Sequence, residues 1–189
     1  MSLVLTSALV GLSGTALARD VDGRGHDWRR ITLGAQFQYG IWTGDGDVNL
    51  YGPGVGIRGG FTLDPGIYLG ANFDYFAGEK FPGTTVRGNV YDFVGEIGYD
   101  IWVHPSGILR PKIGLGLGVA KVGGCATIAG IATACDSRSE NGFAIAPGIQ
   151  YLHFLSDVYI SLEARYQTIS LDGSDPSALI LGAGIGVGF

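Results

Sequence analysis

The chain has 189 residues, 34 of them glycine, with 15% charged residues and a formal net charge of −5. This length suits one domain and hardly two. The acidic balance without a basic stripe speaks against nucleic-acid binding, and glycine without a Gly-X-Y period excludes collagen. Mean hydropathy is +0.27. Past the N-terminus, no stretch approaches the ~20 unbroken apolar residues of a membrane helix. A dense soluble core and a transmembrane barrel both fit these bounds.

Residues 1–18 read as a secretory signal. An apolar stretch from Leu3 to Leu12 precedes Ala16-Leu17-Ala18, a small-x-small cleavage site. No Lys or Arg precedes Arg19, so the usual positive flank is missing and the true start is open. A short buried helix or a ninth strand is the alternative. The polar segment 19–29 reads as a periplasmic lead-in.

From 30 onward the chain alternates. Ile31, Leu33, Ala35, Phe37, Tyr39 and Ile41 are apolar at every second position, and the pattern recurs through Leu179, Leu181, Ala183, Ile185, Val187 and Phe189. A period of two means β-strand, because successive side chains leave on opposite faces. Eight strands are expected: 30–42, 50–63, 67–78, 89–103, 108–121, 142–154, 158–169 and 178–189. Such lengths suit tilted strands that cross a bilayer. Tight turns at Asp64-Pro65-Gly66, His104-Pro105-Ser106-Gly107 and Leu155-Ser156-Asp157 alternate with longer connections at 43–49, 79–88, 122–141 and 170–177. Short turns at one end and long loops at the other are the rhythm of an up-and-down barrel. An even strand number puts both termini at the short-turn end.

One face of these strands has no Asp, Glu, Lys or Arg. On the second strand it comprises Tyr51, Pro53, Val55, Ile57, Gly59, Phe61 and Leu63. The other face carries Gln36, Gln38, Arg58, Asn72, Asp74, Asp92, Glu96, Asp100, Arg110, Lys112, Glu163, Arg165 and Gln167 among ladders of glycine. Parity alone does not say which face is inside, since a soluble ligand-binding barrel turns its apolar face inward. Volume decides. An eight-stranded interior barely holds its own side chains, so glycines with a few long polar groups fit it and the bulky apolar set does not. The fold class is therefore an all-β, membrane-spanning, antiparallel eight-stranded barrel.

Counted from the turn end, Gln36, Arg58, Asn72, Asp74, Glu96, Glu163 and Arg165 fall at similar depth and form one expected charge cluster. Asp100, Arg110 and Lys112 form a second, nearer the turns. Buried charges persist only when paired. A polar plug is the preferred reading over an ion or proton path. Tyr39, Tyr51, Tyr75, Tyr91, Phe143 and Tyr166 are expected in an aromatic girdle at the loop end, with Phe61, Tyr99, Tyr151 and Phe189 at the turn end. Lys121 is outward just past the apolar band, in reach of lipid phosphates.

Cys125 and Cys135 are the only cysteines, and an even count in an exported chain suggests one disulfide closing the loop 122–141. That loop either packs on the barrel mouth or contacts a surface ligand. A two-thiol metal site lacks nearby histidines. His26, His104 and His153 form no catalytic constellation. His153, Ser156 and Glu163 are near in sequence, as in lipid-modifying barrels, but parity points His153 outward and Glu163 inward. No catalysis, cofactor or metal is expected.

The C-terminal run from Ala178 to Phe189 resembles the closing signal of bacterial outer-membrane barrels, which ends in an aromatic residue. With the signal-like start and eight strands, the chain is similar to the outer-membrane β-barrel family that includes OmpX and the OmpA membrane domain. The resemblance implies insertion by the barrel-assembly machinery through Phe189, contact with outer-membrane lipid and lipopolysaccharide, and a location in the bacterial outer membrane with periplasmic termini. A monomer with a structural, envelope or surface-interaction role is expected. A narrow pore or an OmpW-like path for small solutes is the alternative, and a lipid-A-modifying enzyme the third reading. No peptidoglycan-binding part is expected after Phe189.

Overall fold

The computed structural model describes residues 31–43, 49–80, 87–128, 132–171 and 175–189, and the short segments 20–21 and 27–28. Side chains are described except at 20–21, 27–28, 80, 124–128 and 132–137. The expected signal, 1–18, lies outside the described residues. Within the expected lead-in, Asp20–Val21 pairs antiparallel with Asp27–Trp28.

The barrel strands are β1 (Ile31–Trp42), β2 (Gly52–Leu63), β3 (Ile67–Lys80), β4 (Arg87–Tyr99), β5 (Gly107–Ile128), β6 (Ala132–Leu155), β7 (Val158–Ser170) and β8 (Ser177–Gly188). After a break at Asp100, β4 resumes as Ile101–His104. Each strand pairs antiparallel with its chain neighbour, and β8 pairs with β1 to close an eight-stranded barrel. Closure is sealed at the turn end, where the Ile31 N–H donates to the Phe189 carbonyl at 3.2 Å and the Phe189 N–H donates back at 2.9 Å. A closed barrel leaves no backbone polar group unpaired in lipid.

The alternation places large apolar side chains outward. Leu117 is 65% exposed, Ile57 63% and Phe37 62%. Along β3 the inward positions Tyr68, Asn72, Asp74 and Phe76 are buried. In water such an exterior would be an aggregation surface; in a bilayer it is the solvated face.

Two elements depart from the expected layout. The segment 122–141 is mostly strand: β5 and β6 stay in register up to Ile128↔Ala132. The barrel neighbours stop earlier, β4 at Arg87↔Gly123 and β7 at Ser170↔Phe143. The hairpin therefore rises beyond them as a two-stranded ribbon. Tyr51 was expected outward in the girdle, yet it is fully buried inside. The cause is Gly52, whose φ of +65° breaks the alternation, so that Tyr51 and Gly52 both face inward. A positive φ of this kind is cheap only for glycine.

The barrel lumen as candidate functional site

Three layers fill the lumen. At the loop end, Tyr51, Phe76, Val90, Val94, Ala144, Ile169, Ala178 and Ile180 form a buried apolar cluster, packed by Trp42, Leu50 and Leu171. Tyr51 meets Phe76 edge-on at 5.2 Å. At the turn end, Ile108, Leu152, Phe154 and Tyr159 form a second cluster, packed by Trp102. These plugs face the inside of the barrel, a placement that the polar-and-glycine reading of the lumen did not contain.

Between the plugs lies an ionic layer. Arg58 Nε sits 3.0 Å from Glu96 Oε2, and Arg58 Nη1 sits 2.6 Å from Glu163 Oε2. Lys112 Nζ sits 2.7 Å from Glu96 Oε1 and 3.1 Å from Glu163 Oε1. The four side chains close an alternating ring in which each cation touches both acids. They come from β2, β4, β5 and β7, so the ring ties separated walls together.

Arg165 extends the ring. Its Nη1 is 3.7 Å from Glu163 Oε1, and its Nη2 pairs with Asp74. Asp74 Oδ1 also accepts from Gln36 Nε2 at 3.1 Å and Gln38 Nε2 at 2.6 Å, and Oδ2 accepts from Asn72 Nδ2 at 2.6 Å. Beside it, Asp92 Oδ2 accepts from Gln167 Nε2 at 2.8 Å. Nearer the turns, Arg110 grips Asp100 with two bonds, at 2.5 and 2.9 Å, and Thr62 Oγ1 donates to Asp100 at 2.8 Å. The Arg110 guanidinium lies 3.6 Å over the centre of the Tyr68 ring, a cation–π contact.

Of the sequence candidates, Arg58, Asp74, Glu96, Glu163 and Arg165 share one network, and Asp100 and Arg110 form a second. Lys112 was expected with Asp100 and Arg110, but its ammonium reaches Glu96 and Glu163 instead. Its four-carbon stem carries the charge to the deeper level, a reach that a count of residues along one strand does not capture. Tyr68 and Tyr159 were not singled out from the sequence, although both lie at inward parity. Glycines make room for them. A methyl at Gly60 or Gly70 would meet the Tyr68 ring, and one at Gly34 or Gly186 the Tyr159 ring. These glycines are thus the counter-shape of large inward side chains on their own and nearby strands.

Beside the ring, among the described residues, the space is small. The cavity bordered by Arg58, Gln150, Tyr159 and Ser161 measures about 10 Å³, room for about one water. Among the described residues, no group of three His, Cys, Asp or Glu could hold a metal ion. His153, Ser156 and Glu163 do not converge. Glu163 is buried in the ring, while His153 lies on the outer side with its Nδ1 3.3 Å from the Tyr151 hydroxyl. Cys125 and Cys135 are Cα partners across the hairpin, and their side chains lie outside the described residues.

The family model for the outer membrane protein beta-barrel domain matches residues 4–189. Among solved structures, the chain is similar to Neisserial surface protein A, with 16% identity and a TM-score of 0.52 over 84% of this chain and 96% of that one. It is also similar to a major outer membrane protein from Thermus thermophilus, with 8% identity and a TM-score of 0.64 over 85% and 98% of the two chains. The attachment invasion locus protein of Yersinia pestis matches at 19% identity and a TM-score of 0.48, over 83% of this chain and 96% of that one. Among curated proteins, none matches.

Proposed function

The chain belongs to the outer membrane protein beta-barrel domain family, and on that premise we propose that it is a non-catalytic barrel with an envelope or surface-interaction role, not a pore. The observation that carries this reading is the filled lumen: two apolar plugs enclose a paired ionic layer. A conducting path needs a continuous wet route, whereas buried apolar clusters lie on both sides of this ionic layer. The buried ring serves as a cross-brace between walls.

The protruding β5–β6 ribbon is the proposed contact element for a partner outside the membrane, because it lifts its backbone clear of the barrel neighbours. Cys125 and Cys135, Cα partners across the ribbon, are proposed to form a disulfide in an exported chain. The turn end and both termini are assigned to the periplasm and the loops to the exterior. Phe189, whose backbone seals the barrel, is assigned to recognition by the assembly machinery, and the working unit is a monomer in contact with lipid and lipopolysaccharide.

Single-channel recording in planar bilayers tests the main claim. The folded protein, identified by heat-modifiable gel migration, is expected to give no discrete steps. Reproducible ion conductance from such material would replace this reading with that of a pore.

A further inference from the structure

We propose that Asp92 is a proton-binding site: in the folded barrel its side chain is a carboxylic acid that shares its proton with Asp74, and the lumen thereby closes at zero net charge. This stands apart from the envelope role and holds whether or not the barrel conducts.

Among the described residues, the buried charged side chains are four cations, Arg58, Arg110, Lys112 and Arg165, and five acids, Asp74, Asp92, Glu96, Asp100 and Glu163. Four of the acids have a cation. Asp100 takes Arg110, Asp74 takes Arg165, and Glu96 and Glu163 share Arg58 and Lys112. The fifth, Asp92, has an amide only, the Gln167 Nε2 at 2.8 Å from its Oδ2. Its Oδ1 is buried with no donor in reach.

The surroundings of Asp92 are poor in compensation. On the same face of β4 its neighbours are Val90 and Val94, both in the loop-end apolar cluster. Facing it are Asp74 from β3, Arg165 and Gln167 from β7, and Tyr51 ahead of β2, while its Cα partner on β5 is Gly118. Arg165 is engaged with Asp74 and Glu163. Asp74 is the Cα partner of Asp92 on β3, and the two carboxyls are within hydrogen-bonding reach. Like charges directly opposite on one sheet face repel, and two carboxylates in one enclosed site do not both ionise. A lone buried carboxylate is neutralised instead of kept charged. Asp74, with a guanidinium and three amide donors, holds the anion. Asp92 holds the proton.

No other cation of the chain is placed to take its part. The loop-end segments 44–48, 81–86, 129–131 and 172–174 contain no Lys or Arg. Lys80 ends β3 about 20 Å along the strand from Asp74. Arg87, Lys121 and Arg138 are exposed. Arg19, Arg24, Arg29 and Arg30 precede Ile31, at the turn end of β1, and the ionic ring and the turn-end plug separate that end from Asp92.

Infrared spectroscopy near neutral pH tests this, with the full protein in vesicles of ether lipids, which lack ester carbonyls. The parent is expected to show the C=O stretch of a carboxylic acid. Isotopic labelling of aspartate carboxyls is expected to shift that band, and labelling of glutamate to leave it in place. D92N is expected to lose the band and to keep the parent's urea midpoint, because a neutral amide replaces a neutral acid. D74N, which takes the anion from Arg165, is expected to unfold at lower urea. Heat-modifiable migration reports insertion of each variant separately, and the labelled parent decides the outcome if D92N does not insert. No acid band in the folded parent, a band that follows glutamate, or a band that survives in folded D92N would overturn the proposal. So would a midpoint for D92N as low as that of D74N. A parent midpoint that rises with sodium but not with choline would also overturn it, since a bound metal cation would then supply the missing charge.

Discussion

Arg165 on β7 and Asp74 on β3 stand on opposite walls of the barrel, four strands apart in either direction, and their side chains pair directly across the lumen. The pair is fully enclosed, and three amides, Gln36, Gln38 and Asn72, donate to the same carboxylate. A buried charge held this way is costly to strand and modest in net value while whole.

Removing Arg165 is therefore expected to hurt. Arg165→Ala leaves Asp74 without its cation and takes one partner from Glu163, at a cost of ~3–5 kcal/mol. Urea unfolding of the variant in lipid vesicles measures the loss. Stability equal to the parent would mean that the network contributes nothing to holding the walls together.

Tyr51 and Tyr39 make a paired comparison. Both sit toward the loop end, yet Tyr51 is fully buried while Tyr39 is 44% exposed. Tyr51→Ala is expected to cost ~3–5 kcal/mol through the cavity it opens beside Phe76. Tyr39→Ala, facing lipid, is expected to cost about 1 kcal/mol or less. The same unfolding assay should rank them, and a reversed order would place Tyr51 outside.

Two glycines separate room-making from mere smallness. A methyl at Gly116 would collide with the backbone of Phe93 and Val94 on β4, which cannot swing aside. A methyl at Gly95 finds its nearest neighbour, the Leu115 carbonyl oxygen, at 3.8 Å. Gly116→Ala should destabilise by about 1–3 kcal/mol, and Gly95→Ala should be close to neutral. Heat-modifiable migration at rising temperature reads both.

Cys125 and Cys135 are Cα partners across the ribbon. Protein purified from the envelope without reductant is expected to be two hydrogens lighter by intact mass than after reduction. A ring this short stabilises the hairpin by roughly 3 kcal/mol at most, subject to strain. Protease nicking within 122–141 should accelerate on reduction, while the barrel band persists. Free thiols in freshly isolated envelope protein would remove the crosslink from the proposal.

Much of the architecture was readable from single strands. Alternation is a local property: each residue's face follows from its neighbour's, so the apolar wall of β1 or β8 and the inward place of Arg58 and Glu163 need no knowledge of other strands. The local rule failed where the backbone left the extended region. Nothing in the letters Tyr51-Gly52-Pro53 states that Gly52 takes a positive φ, and one such dihedral turned a girdle tyrosine into a plug. It also failed where alternation had little contrast: Ala, Thr, Gly and Ser between 122 and 141 read as loop, though β5 and β6 pair through most of it.

Face, strand number and the exclusion of charge from the wall were thus present in the order of residues, because each depends on chemistry within one strand. Which charge meets which across the lumen was not. Closing the sheet staggers the strands and sets their relative heights, and long side chains then span the gap. Lys112 could choose Glu96 and Glu163 over Asp100 only once the barrel had closed, since partners on separate walls acquire a distance only in three dimensions.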